Sequence, residues 1–242
     1  MARGTALMEK LKTFLNWSSG KDCSMALQLL LDRSEVQVDQ LFTTVSSANQ
    51  RIGMHGLHES LLKQQANAIG LPLKIMYLPE KNEMETYNAL MQEQMQVFLK
   101  NGFTHAAFGD IFLEDLKTYR EAQLNKVGLK GLFPLWKKDT KSLLKEFVDK
   151  GFKAIVVAAS GTFFEANFVG TEINDSFIDQ LPSGVDPCGE NGEFHTFCYD
   201  GPIFEHAVRF KKGKKVIRSY PNPEGEGELA FHFLDLKPIE ST

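Results

Sequence analysis

The chain has 242 residues, which at roughly 150 residues per domain predicts one large domain or a standard domain with a smaller companion. Hydrophobic residues at 43%, charged residues at 24% and a balance of 27 basic to 31 acidic exclude disorder, collagen and coiled coil. They also disfavour nucleic acid as the main partner, and no apolar run reaches the roughly 20 residues needed to cross a membrane.

Taken in chain order, the apolar spacing alternates between a period of two and a period of 3.6. The N-terminal stretch MARGTALMEKLKTFLNW has no continuous apolar region, so no secretory signal is expected. Thr13 to Leu15 predicts a strand, followed by the small-residue turn Ser18, Ser19, Gly20 and a helix carrying Ala26, Leu29 and Leu30. Gln40 to Val45 predicts a second strand, and Leu57, Leu61, Leu62, Ala66 and Ile69 a helix stopped by Gly70 and Pro72. Leu73 to Leu78 is a third strand. Met84, Tyr87, Met91, Met95 and Phe98 space a helix whose aromatic and sulfur side chains read as core, ended by Asn101 and Gly102. His105 to Phe108 and Gly131 to Leu135 predict strands, with helices over Leu113 to Val127 and around Leu143, Leu144, Phe147 and Val148. Ile155 to Ala158 continues the pattern as a further strand.

This order predicts an α/β fold, a parallel sheet with helices on both faces. After about residue 160 the texture changes to short β-like runs at Phe194–Tyr199, Ala207–Phe210 and Leu229–Leu234. The expected division is therefore a domain over 1–127 and a smaller one over 128–242. The lysines of 211–215 read as a solvated hairpin turn and the Gly/Glu stretch of 224–228 as a surface turn.

The most informative segment joins the first strand to the first helix. Small residues at Ser18, Ser19 and Gly20 let backbone N–H groups curl around an anion, and the helix dipole points its positive end there. Lys21 adds a positive charge, Asp22 a ligand for Mg²⁺, and Ser24 a hydroxyl donor. A Walker A loop is excluded, because Leu15 stands where its first glycine belongs and Asp22 follows Gly20-Lys21. Gly225, Gly227 and Ala230 match the letters of a dinucleotide fingerprint, but no strand is expected before them and strand-like residues come after. What remains is the S-x-G-K-D-S pattern of a pyrophosphate-binding PP-loop, with an ordinary helix cap as the bland alternative.

A second polar cluster runs from Cys188 through Glu190, Asn191, Glu193 and His195 to Thr196. Two carboxylates, an amide and an imidazole this close can position an acceptor or move a proton, although a polar surface turn has the same composition. Cys188, His195 and Cys198 match no paired zinc spacing. Three cysteines are also too few for a disulfide framework, which favours a reducing, cytoplasmic setting. His55 and His58 lack the glutamate of H-E-x-x-H and read as cap or surface histidines.

Together these segments resemble the diphthine–ammonia ligase family of PP-loop ATPases over nearly the whole chain. The resemblance is carried by SSGKDCSMAL near the start, MHG at 54–56, Gly109-Asp110-Ile111 with Glu121 and Pro134-Leu135-Trp136, and GENGEFHTF with YDGP up to residue 204. It implies a HUP-type, Rossmann-like sheet binding ATP and a smaller C-terminal α/β domain completing the site. It implies adenylation of a carboxylate acceptor, release of pyrophosphate, and attack by ammonia to form an amide. Ser18, Ser19, Gly20, Lys21, Asp22, Cys23 and Ser24 would cradle the pyrophosphate, with Mg²⁺ at Asp22 and Gly109 and Asp110 bordering the nucleotide. Lys21, Glu190, Glu193 and His195 would be the catalytic set, the last three facing the acceptor or ammonia.

The departures are specific. Ser19 replaces the loop's usual glycine, and Cys23 replaces a serine hydroxyl. Asn191 and His195 depart from the E-G-G-E-F/Y-E-T of archaeal and eukaryotic ligases, so the chain looks closer to the bacterial relatives. The acceptor, whether borne on a protein or not, is left open, as is the oligomeric state, a homodimer included. A tRNA-modifying PP-loop enzyme and a non-catalytic adenine-nucleotide sensor are the competing expectations. The first is weakened by the lack of a C-x-x-C pair, and the second by the polar cluster at 189–196.

Overall fold

The computed structural model describes residues 9–79, 83–221 and 226–239. Its first half runs β1 (Leu11–Asn16), α1 (Lys21–Leu31), β2 (Val36–Ser46), α2 (Glu59–Ile69), β3 (Leu73–Leu78), α3 (Met84–Lys100), β4 (His105–Ala107), α4 (Glu114–Val127) and β5 (Lys130–Leu132). These five strands pair in parallel in the order β3-β2-β1-β4-β5. The second half runs α5 (Thr140–Asp149), β6 (Lys153–Ser160), β7 (Phe194–Asp200), β8 (Phe210–Pro221) and β9 (Glu228–Pro238). Its strands form an antiparallel sheet in the order β7-β6-β9-β8.

Local chemistry sets the element ends. Gly70 and Gly128 close α2 and α4 in the left-handed region, at φ 75° and 84°, where a side chain is disfavoured. Asp139 caps α5 by accepting from the Ser142 N–H at 2.8 Å, and His58 caps α2 by accepting from the Ser60 N–H. Neighbouring residues of β1 serve opposite faces of the parallel sheet. Leu15 packs into a core shared with α1, α2, α5 and the antiparallel sheet, while Phe14 packs with Phe42, Phe98, Phe103 and Leu124 beneath α3 and α4. Phe14 and Phe98 stack with ring centroids 4.0 Å apart. Burying one such side chain contributes about 2 kcal/mol. The parallel sheet thus has helices on both faces, the α/β arrangement expected of a HUP-type fold. Among the described residues no helix is long and apolar enough to cross a membrane.

Several elements differ from expectation. The strand around Ile155–Ala158 does not extend the parallel sheet; it is the buried centre of the antiparallel one. A continuous apolar run fits any strand covered on both faces, so periodicity could not say which sheet it joins. The lysines of 211–215 lie within β8, with a pairing irregularity between Lys212 and Lys215, and not in a turn. Of the Ala207–Phe210 run only Phe210 is strand. As the sheet's edge, β8 is solvated along most of its length, where lysine is favoured because it blocks further pairing. A strand does precede Gly227, namely β8, but the next element is the strand β9 and not a helix. Gly225, with Glu224 of the same Gly/Glu stretch, lies outside the described residues. The parallel sheet itself closes with β5, after residue 127.

Candidate active site

The strand order reverses at β1, which has β2 on one side and β4 on the other, so a crevice opens at the carboxyl ends of β1 and β4. The segment leaving β1 is anchored before it reaches the crevice. The Trp17 amide donates to the Phe42 carbonyl at 2.7 Å, and its buried indole donates to Gln65 Oε1 at 3.0 Å. Ser19 then adopts φ 74°, a left-handed conformation that costs a non-glycine residue about 1 kcal/mol or more. Its carbonyl is held by the Cys198 N–H at 2.9 Å and by Gln65 Nε2 at 3.0 Å, and Gln65 Nε2 also donates to the Cys198 carbonyl at 2.6 Å. The next turn begins α1, whose first amide, Lys21 N–H, donates to Thr196 Oγ1 on β7 at 3.0 Å. From the other side, Gly109 presses on the same helix start. A Cβ there would lie 3.0 Å from the Asp22 carbonyl carbon and the Cys23 nitrogen, so only glycine lets β4 end this close.

These anchors frame a cleft of about 400 Å³. Its floor is Lys21, 3% exposed, whose ammonium donates to both Asp22 carboxylate oxygens at 2.9 and 2.8 Å and to the Cys188 carbonyl, above the Phe194 ring. Burial favours the neutral amine, but the Asp22 carboxylate and the other nearby negative groups outweigh it, so Lys21 stays charged. One wall carries Asp22, Asp110 and Glu190. Burial raises all three carboxyls. It pushes Glu190 up to about 7, against the Ile111 N–H that donates to its Oε1 at 2.7 Å and with help from Asp22 and Asp110. Arg120 Nε lies 2.7 Å from Asp110 Oδ2. Among the described residues these carboxyls do not gather into a metal-binding cluster; Asp22 is engaged by Lys21 and Asp110 by Arg120.

The cleft also holds two imidazoles. His55 and His195 face each other with ring centroids 4.7 Å apart, and His55 Nδ1 lies 3.2 Å from the Thr196 carbonyl, which makes that nitrogen the protonated one. Burial lowers His55 to about 4 and holds His195 well below its ordinary value, helped by His55 in the second case and by the Lys21 charge in both. Both rings are therefore neutral at pH 7. His195 Nε2 is buried without a hydrogen-bond partner among the described residues.

The structure brings together most of the expected residues. Ser18, Lys21, Asp22, Cys23, Gly109, Asp110, Glu190 and His195 line the cleft. Four others, Ser19, Gly20, Ser24 and Glu193, are not among the lining residues. Ser24 turns its hydroxyl back to the Gly20 carbonyl at 2.9 Å, which ties down the helix start and takes it away from a ligand. Ser19 Oγ is buried without a partner, so this residue contributes only its backbone. Glu193 is buried inside its own loop: it accepts from the Asp186 and Asn191 amides and from Asn191 Nδ2, all at 3.0 Å. Glu193 thus acts as a strut that shapes the 186–193 turn, and does not face an acceptor. Cys23 donates to the Gly20 carbonyl at 3.1 Å, and burial pushes its thiol up to about 11, so it remains neutral. Cys188 and Cys198 are engaged elsewhere, with the Thr140 and Asp200 carbonyls.

Residues not anticipated are His55, Gln65, Thr196 and Arg120, together with Tyr87 and Met91, which line the cleft and leave the core to Met95 and Phe98. The reading of His58 as a helix cap holds, but not that of His55. MHG is part of the family resemblance, and that was the signal for His55; nothing local marks Gln65.

Family models agree with this anatomy. The diphthamide synthase N-terminal domain matches residues 11–131, and the diphthamide synthase C-terminal domain matches 139–220. Diphthine–ammonia ligase of Mus musculus is 25% identical over 206 residues, covering 78% of this chain and 73% of the mouse protein. The Danio rerio ligase is 32% identical over 100 residues, 39% of either chain, and the Schizosaccharomyces pombe ligase 31% over 101 residues, 38% of this chain and 17% of the yeast protein. The chain thus spans most of the mouse relative but much less of the other two. Among solved structures, the U34-tRNA thiolase NcsA of Methanococcus maripaludis aligns at a TM-score of 0.37 with 15% identity, over 58% of this chain and 57% of that one, too low a similarity to add to the fold. Matched by family models in both halves, the protein belongs to the diphthine–ammonia ligase family of PP-loop ATP pyrophosphatases.

Proposed function

We propose that the protein is an ATP-dependent amide ligase that activates a carboxylate as its adenylate and transfers ammonia to it. The observation that carries this reading is the pairing, in one cleft, of an anion-ready helix start over Lys21 with Glu190 and a neutral His195. A nucleotide sensor has use for the first and none for the second.

In this reading the first-turn N–H groups of α1 and the Lys21 ammonium hold the phosphates of ATP. An oxygen of the acceptor carboxylate attacks the α-phosphorus, the bond to the β-phosphate bridge breaks, and pyrophosphate leaves. Lys21 offsets the charge that develops on the leaving group. Mg²⁺ at Asp22 would supply further neutralisation of phosphate charge. Ammonia then attacks the acyl carbon, the bond to AMP breaks, and the nitrogen sheds a proton. Glu190, pushed up to about 7, is the group suited to take it, with neutral His195 lining the same cleft. Adenylation makes this second step feasible by replacing a poor leaving group with AMP. Residues from about 128 onward supply the acceptor side. The relatives are named for diphthine and ammonia, and a diphthine-like carboxylate is the acceptor to try first.

The test is incubation with ATP, Mg²⁺, ¹⁵N-ammonium and either a diphthine-bearing acceptor protein or a panel of free carboxylic acids. AMP, pyrophosphate and a ¹⁵N-labelled amide are expected in equal amounts. Formation of ADP, or ATP left intact with every acceptor, would falsify the reading. Lys21→Ala is expected to weaken ATP binding roughly tenfold or more, because a charge-assisted contact to phosphate is lost.

A further inference from the structure

A second concavity, of about 350 Å³, lies outside the cleft, on the face of the β8–β9 hairpin turned toward residues 51–56. Four cationic side chains from three segments line it: Lys214 and Arg218 of β8, Lys237 of β9, and Arg51 from the segment before α2. The only carboxylate among its lining residues, Asp235, is already engaged by Arg51 Nη2 at 2.9 Å, while Arg51 Nη1 donates to the Gly56 carbonyl at 2.6 Å. Among the described residues, Lys214, Arg218 and Lys237 have no carboxylate within ion-pair distance. The hollow therefore holds about three uncompensated positive charges in a chain whose net charge is −4.

Protection of an edge strand accounts for lysines on β8 alone. It does not account for Arg51 and Lys237, which belong to other elements, or for the hollow between them. The lysines of β8 also divide by face. Lys212 and Lys215 reach the other way, to the Gly170 and Asn167 carbonyls at 3.1 and 3.4 Å, whereas Lys214 and Arg218 face the hollow. Arg218 is held there over the Phe233 ring, 5.4 Å from its centroid. Like charges gathered in a concavity repel one another unless an anion separates them, and cations in a concave wall focus their field on its centre.

The segment between the two clefts serves both. Arg51 and Gly56 face the cationic hollow, while Ile52 and His55 line the nucleotide cleft. Gly56, at φ 65°, is pressed so closely on β9 that a Cβ would meet the Phe233 ring at 2.8 Å. Whatever fixes Arg51 therefore also fixes the loop that carries His55.

We propose that this hollow is a second anion site, which binds an oligophosphate apart from the PP-loop and in doing so holds the 51–56 loop in place. Free pyrophosphate and the phosphate tail of a nucleotide share the required chemistry. The proposal stands apart from the ligase reading, since it needs only the hollow and its charges.

The test uses calorimetric titration of the full chain with pyrophosphate at low salt, comparing wild type with a Lys214→Gln, Arg218→Gln double variant and a Lys237→Gln single variant. All three positions are exposed, so the fold is expected to persist, which circular dichroism checks. Two pyrophosphate sites are expected in the wild type, one of them weakened at least tenfold in the double variant and less in the single one. Hydrogen exchange over residues 52–57 should slow severalfold with pyrophosphate in the wild type and not in the double variant. A single site, two sites untouched by the substitutions, or unchanged exchange in the loop overturns the proposal. The source is separated by repeating the titration with the α,β-methylene analogue of ATP. Two analogues bound per chain identify the nucleotide tail, and one analogue with pyrophosphate still taken up by the hollow identifies the free anion.

Discussion

Ser19 and His55 show how single residues carry the cost of this site. Ser19 occupies a left-handed backbone position at φ 74° with its hydroxyl buried and unpartnered, two penalties at once. Ser19→Gly removes both, and is expected to raise the unfolding free energy by about 1 kcal/mol, a Tm increase of about 2–4 °C by calorimetry. A lower Tm would mean that the side chain packs usefully after all. His55 stores a pH dependence. Unfolded, it takes up a proton near pH 6.5; folded, burial delays this to about 4. Its contribution to stability is therefore complete above about pH 6.5 and is lost as pH falls through the interval down to about 4, amounting to about 2 kcal/mol by about pH 5. Urea unfolding at about pH 7 and about pH 5 should show this loss in the wild type and a smaller one in His55→Gln, whose amide can still reach the Thr196 carbonyl. Equal losses in the two proteins would refute the assignment. Of the PP-loop pattern, Ser18, Lys21, Asp22 and Cys23 were legible as cleft residues, because a turn at a helix start that suits an anion restricts which residue types fit there. The turned-away Ser24 and the buried Glu193 were not, because residue type alone does not say which way a hydroxyl or carboxylate points.

At the scale of elements, the nucleotide cleft is a junction between the end of β4 and the start of α1. Gly109 makes the junction possible, since a methyl group there would sit 3.0 Å from backbone atoms of Asp22 and Cys23 that cannot swing aside. Gly109→Ala is expected to push α1 away from β4, to cost about 1–3 kcal/mol in denaturant unfolding, and to weaken ATP binding more than any exposed substitution does. Binding left at the wild-type level would show that the junction gives without moving the loop. The parallel strands and their helices could be read from periodicity, because each β-α step repeats the same change of spacing, and α2, α3 and α4 stop at or just before a glycine. The antiparallel sheet could not. β6 has the texture of any doubly covered strand, and β8 is so polar that its lysines read as a turn.

For the molecule as a whole, the two sheets are not separate bodies joined by a hinge. A single apolar core runs from Leu15, Leu27 and Leu61 through Val156 and Phe197 to Leu236, crossing from one sheet to the other. The mild acidity of the chain, read from composition as an argument against nucleic acid, conceals a local excess of positive charge around Arg51, Lys214, Arg218 and Lys237. Total charge cannot reveal such a patch, because the chain has to fold before residues so far apart in sequence come together. The same dependence on distant partners governs the loop after β1. Its left-handed serine is gripped by the Cys198 amide, its first helical amide by Thr196, and its lysine by the Cys188 carbonyl. On the ribosome the parallel sheet has all five strands once Leu132 has emerged, yet the loop waits for residues 188–198 before it is set. In the proposed ligase reading, affinity for ATP is therefore expected only once residues 188–198 are in place.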